Sequence, residues 1–114
     1  MKKIFLLLPL VLLAFNNVKI NVNKKVLKKG DLLIITITTH GKKIVFPEIS
    51  KINNTKIIAT MIKDNIVILN GELIDKFSKL YFLRPTHNIT IPSLEISVDG
   101  KIYKTKPIKI KVIN

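Results

Sequence analysis

The chain contains no cysteine, only two histidines, four glycines, two alanines and a single arginine. Without cysteine there is no disulfide, no thiol nucleophile and no lipoprotein acylation site, so core packing alone must hold the fold. Four glycines leave no phosphate-cradling glycine loop, and no Gly-X-Ser-X-Gly elbow is present. The two imidazoles, His40 and His87, show no metal-ligand spacing with a carboxylate. They read as surface turn residues. The seven carboxylates are scattered, and Asp31, Asp64 and Asp99 fall where Asp serves a turn by bonding backbone. Glu72 and Asp75 are the nearest thing to an acid/base pair, but on a strand they would face opposite sides. These absences predict a protein without catalytic residues, cofactor or metal.

What is abundant is Lys, Ile and Asn. The formal net charge is +13. Two readings of that excess stay open: an AT-rich codon default spread along the chain, or an anionic surface or acidic partner. Nucleic acid is not expected, because the start of the chain points to export. Met1-Lys2-Lys3 is followed by an apolar block, Ile4 to Phe15, and then Asn16-Asn17, the layout of a secretory signal peptide with a cut after Ala14. Twelve residues with Pro9 among them are too few to cross a bilayer core, which needs about 20. The rival reading is a buried N-terminal strand or helix, but a continuous apolar block has no polar face to show to water. The expected division is a signal peptide at 1–14 and one domain at 18–114, with no membrane span in the mature chain. Without Lys2 and Lys3, 18 basic and 7 acidic side chains give +11.

The domain reads as strand after strand. Val18 to Lys24 alternates with period two, Lys28-Lys29-Gly30-Asp31 turns, and Leu32 to Thr39 is a central strand with Leu33, Ile35 and Ile37 inward. Ile44 to Phe46 is a short strand ended by Pro47, and Ile49 to Thr55 reads as loop. Lys56–Ile62 and Ile66–Asn70 flank Lys63-Asp64-Asn65, read as a hairpin turn; Asn70-Gly71 and Asp99-Gly100 read as type I′ turns. The last of these sets Val98 opposite Lys101, Ile96 opposite Tyr103 and Glu95 opposite Lys104. Residues 72–83 fit a strand or a helix; strand is preferred, because Asn-Gly precedes and Pro85 follows. In the last strand Ile108, Ile110 and Val112 point inward and Lys109 and Lys111 outward. About seven or eight short strands with turn signals at roughly 8–12-residue spacing predict an all-β, immunoglobulin-like antiparallel sandwich.

Arg84 stands alone among nineteen lysines. Its planar fork holds carbonyls or a carboxylate in fixed geometry, which suits a clamp on a strand end. Asn53-Asn54-Thr55 and Asn88-Ile89-Thr90 match the glycosylation tripeptide and are read as coincidence.

The frame Leu83-Arg84-Pro85, Ile91-Pro92 and Val98-Asp99-Gly100-Lys101-Ile102-Tyr103-Lys104-Thr105-Lys106-Pro107-Ile108-Lys109-Ile110-Lys111-Val112 resembles an immunoglobulin-like module of the BatD, or oxygen-tolerance, family of bacterial envelope proteins. Phe46-Pro47-Glu48-Ile49 resembles it too, and Val18–Gly41 more loosely. The resemblance implies an exported module that works with von Willebrand A-type proteins and a MoxR-type ATPase in the envelope, and it transfers no catalytic residue. Two features depart from the family: the Gly between Leu-Arg-Pro and Ile-Pro is missing with a shorter loop there, and a single module is expected, without the second domain and C-terminal anchor the family carries. The expected function is a periplasmic or secreted, non-enzymatic protein-interaction module. Lys104, Lys106, Lys109 and Lys111 are the candidate partner face, against the alternative of a solvated edge kept from aggregating by lysine. The second functional reading is an anionic-ligand or glycan-binding, adhesin-like module, for which Tyr103 is the candidate aromatic.

Overall fold

The computed structural model describes residues 18–114. The expected signal peptide and its cut after Ala14 lie outside the described residues. In chain order the strands are β1 (Val18–Val22), β2 (Val26–Lys28), β3 (Leu33–Thr39), β4 (Ile44–Val45), β5 (Lys51–Ile52), β6 (Thr55–Lys56), β7 (Ala59–Leu69), β8 (Glu72–Leu83), β9 (Ile89–Ile91), β10 (Glu95–Val98), β11 (Lys101–Lys104) and β12 (Ile108–Ile113). The described residues form no helix, so 72–83 is strand.

The strands pack as a sandwich-like fold. One sheet runs β1-β3-β8-β7 and is antiparallel throughout. Facing layers come from β11-β10-β4 and from β2-β12-β9, in which β2 and β12 run parallel. The small β5–β6 pair forms a separate ladder whose Ile52 joins the core. The core follows period two. Leu33, Ile35 and Ile37 of β3 and Tyr81 and Leu83 of β8 are fully buried, and Leu27, Ile89, Ile91, Ile96, Val98 and Ile110 meet them. Each core side chain removed from water contributes roughly 1.5–3 kcal/mol before chain entropy is subtracted.

Turn chemistry fixes the registers. Asn70 (φ 52°) and Gly71 (φ 81°) close the β7–β8 hairpin, and Asp99 (φ 51°) with Gly100 (φ 84°) closes β10–β11. Only Gly, Asn and Asp enter that region cheaply. The second turn produces the pairs Glu95↔Lys104, Ile96↔Tyr103 and Val98↔Lys101.

Three local expectations are corrected. Lys63-Asp64-Asn65 is no turn: it lies in the middle of the continuous strand β7, paired to Ser78, Phe77 and Lys76. Residues 49–55 are not all loop, because Asn53 (φ 45°) and Asn54 (φ 66°) turn a tight β5–β6 hairpin. Asp99 does not spend its carboxylate on its own turn. Its Oδ1 accepts from the Lys42 and Lys43 amides at 3.0 and 2.8 Å, tying the β3–β4 loop to the β10–β11 turn. A two-residue I′ turn leaves that carboxylate free to reach out.

Candidate interaction surface

The sequence-predicted residues do not gather into one site. Lys109 and Lys111 are exposed on β12, alternating with buried Ile110. β12 is flanked by β2 and β9, so these lysines sit on the face of a central strand and guard no edge. Lys104 lies in a different sheet, on β11, where its Nζ is 3.7 Å from Glu95. Both side chains are more than half exposed, so the pair is worth at most about 1 kcal/mol. Lys106 is in the β11–β12 connection. Arg84 Nη1 donates to the Gly30 carbonyl at 2.8 Å, fastening the end of β8 to the β2–β3 turn. The histidines are separated by the sheet. His40 follows the Thr39 end of β3, and His87 follows the Leu83 end of β8, which pairs with Leu33.

Asparagines complete the backbone at strand ends. Asn23 accepts from Ile34 N–H (2.8 Å) and donates to the Leu32 carbonyl (2.9 Å), standing in for one more residue of ladder between β1 and β3. Asn53 Oδ1 accepts from Thr90 N–H and Asn88 Oδ1 from Val112 N–H, at 2.6 and 2.7 Å. Asn53 and Asn88, with Thr90, Lys109 and Lys111, line an open groove beside β9 and β12. With each asparagine oxygen engaged, the amide nitrogens and the two ammonium groups leave the groove rich in donors.

The larger feature is one the sequence reading missed. β3 ends at Thr39, opposite Phe77, but β7 and β8 continue as a two-stranded arm through residues 65–76. Five paired positions at ~3.4 Å each carry it about 17 Å beyond the sheet. The register continues the core face outward: Ile62 pairs with Lys79, Asp64 with Phe77, Ile66 with Asp75, and Ile68 with Leu73. Yet among the described residues no facing layer covers this stretch. Ile62 is 63 % exposed, Ile66 65 %, Ile68 70 % and Leu73 73 %. At its root Ile62 and Phe77 join Ile44, Phe46 and Lys42 in an open groove. The signal available in the sequence was length: strands of 11 and 12 residues flank Asn70-Gly71, whereas their neighbour β3 has 7.

Where the arm leaves the body, Lys79 is only 9 % exposed and lies on the core face. Its aliphatic stem packs inward, and the ammonium is 4.0 Å from Glu48 Oε1 and 5.4 Å from the Tyr81 ring centroid. The Tyr81 hydroxyl donates to the Pro47 carbonyl at 2.7 Å. Burial pushes the Tyr81 phenol up to about 12, and the Glu48 carboxylate nearby adds to the rise. Among the described residues no group of three or more His, Asp or Glu side chains is placed to hold a metal ion, and no helix is long and apolar enough to cross a membrane.

Fold and surface together define an all-β, sandwich-like module that ends in an uncovered apolar hairpin. Residues 20–112 match the family model described as the BatD DUF11-like domain. The chain belongs to the BatD family. No curated protein matches it.

Proposed function

We propose that the protein is an exported, non-enzymatic module that mediates protein–protein interaction in a bacterial envelope complex of BatD type. The observation that carries this reading is the β7–β8 arm. A two-stranded hairpin is marginal in water on its own, and Ile66, Ile68 and Leu73 adjoin one another exposed on it beside Asp75, an apolar patch of the kind that marks an interaction site. Membership of the BatD family, which is associated with the bacterial envelope, supports the address. The wide separation of His40 from His87 and the spread of the carboxylates support a binding role over a catalytic one. Capture from a detergent-solubilised envelope extract, followed by reconstitution with the purified partner, tests the reading. A saturable protein partner is expected, with von Willebrand A-type proteins the first to look for. Failure of every captured protein to rebind in purified form would sink it.

The groove beside β12 favours a second reading, recognition of an anionic ligand or glycan. Its donors from Asn53, Asn88, Lys109 and Lys111 suit carboxylate or sulfate oxygens. Binding on a glycan array that disappears in Lys109→Gln/Lys111→Gln would favour this reading over the first.

A further inference from the structure

The arm has a free backbone edge as well as an apolar face. In the order β1-β3-β8-β7, strand β7 is terminal, and among the described residues its strand partner is β8 alone. Along that edge the core-side face presents Ile62, Asp64, Ile66 and Ile68, and the opposite face presents Met61, Lys63 and Asn65. Eleven residues of unpaired edge backed by isoleucine form a ready template for an incoming strand.

Charge decides which strand. Two copies joined edge to edge about a twofold normal to the sheet keep like faces opposite one another. The fully overlapped register then centres on the middle of β7 and sets Asp64 against Asp64. Shifting the centre one residue back sets Lys63 against Lys63, and one residue forward sets Asp64 against Ile66. Like charges directly opposite are destabilising, and an inward-pointing charge on an edge strand is a known guard against self-pairing. Moreover, residues 65–76 hold Glu72 and Asp75 against Lys76, so the arm is net −1 in a chain that is +13, and Lys63 and Asp64 at its root leave that balance unchanged. The edge therefore discriminates against a copy of itself and favours a cation at its centre.

We propose that the β7 edge accepts an extended segment of a partner protein as an additional antiparallel strand. The segment carries apolar residues opposite Ile62, Ile66 and Ile68 and a Lys or Arg opposite Asp64. The proposal rests on the interaction reading above and names its site and the partner's chemistry.

The test uses the full chain and a synthetic peptide matched to the 11 residues of β7. The peptide has Val opposite Ile62, Ile66 and Ile68, Lys opposite Asp64, Glu opposite Lys63, and Thr elsewhere. A second peptide replaces the Lys by Asp. Fluorescence anisotropy should show the Lys peptide binding about tenfold more tightly, the effect of exchanging a favourable for an unfavourable cross-strand pair. Asp64→Lys should reverse the preference, and amide shifts should map to residues 59–69. Equal binding of both peptides, or shifts confined elsewhere, would overturn the proposal. So would a dimer in sedimentation equilibrium that Ile66→Asn/Ile68→Asn dissolves, or sedimentation with phosphatidylglycerol vesicles that the same variant abolishes. A partner captured equally by wild type and that variant overturns the arm while leaving the interaction reading standing.

Discussion

Tyr81 links the core, the Pro47 strand end and the root of the arm, and its ionisation gives a test with a defined sign. The ring is fully buried, and its hydroxyl donates to the Pro47 carbonyl at 2.7 Å. Tyr81→Phe keeps the packing and removes that bond, which costs about 1 kcal/mol at pH 8. The wild-type phenol is raised from 10.0 to about 12 by burial and by Glu48. Between those values the unfolded chain has lost the proton while the folded protein keeps it, so stability falls as pH rises. The contribution is complete below pH 10 and lost through pH 12. At pH 11 linkage makes the loss on the order of 1 kcal/mol, and the full span is roughly 3 kcal/mol. Phe has no such dependence. The lysines titrate in both proteins and cancel in the difference. Urea unfolding of wild type and Tyr81→Phe at pH 8 to 11.5 should therefore show the two stabilities converging and crossing near pH 11. A gap that stays constant across this range would refute the argument that the buried neutral phenol sets the difference.

A Cβ at Gly41 would lie 2.6 Å from Val98 Cγ1 and 3.1 Å from Asp99 Oδ2, so Gly41→Ala should destabilise by about 1–3 kcal/mol in urea unfolding. Asp99→Ala should cost about 1–2 kcal/mol, because two loop amides lose their acceptor and Ala tolerates φ 51° poorly. Asp99→Asn, which suits that φ and keeps an acceptor, should cost less; equal losses would count against the bridge. Arg84→Lys should lower the melting temperature by several degrees, corresponding to about 1 kcal/mol, because it removes the Nη1 bond to the Gly30 carbonyl that holds the end of β8. An unchanged melting temperature would remove that role.

Period and turn chemistry carried most of the architecture into view. Leu33, Ile35 and Ile37 could be placed in the core from alternation alone, and Asn70-Gly71 and Asp99-Gly100 named their own turns, because positive φ restricts the residues that can occupy them. Partners brought together across long chain separations were not legible. Nothing local in Asp99 points to Lys42 and Lys43, and nothing in Asn88 points to Val112. The four candidate lysines shared a sequence neighbourhood but were divided between sheets, since the Lys106-Pro107 connection carries the chain from β11 to β12. Proximity along the chain is a poor guide to a shared surface in a sandwich whose consecutive strands change sheets.

The position of Lys63-Asp64-Asn65 inside β7 bears on function. Polar residues between two apolar runs look like a turn, because in a half-buried strand they would break the inward face. In an edge strand without a covering layer the same residues meet a different constraint: an uninterrupted isoleucine edge would pair with any strand, its own copy included. A central Asp and Lys limit that promiscuity at small cost in a position open to water. The pattern that imitates a turn is thus the pattern expected of an edge that must stay unpaired until a suitable strand arrives. The flanking isoleucines supply the contact area and Asp64 supplies the selection, so Ile66→Asn and Asp64→Lys should weaken affinity and alter specificity respectively.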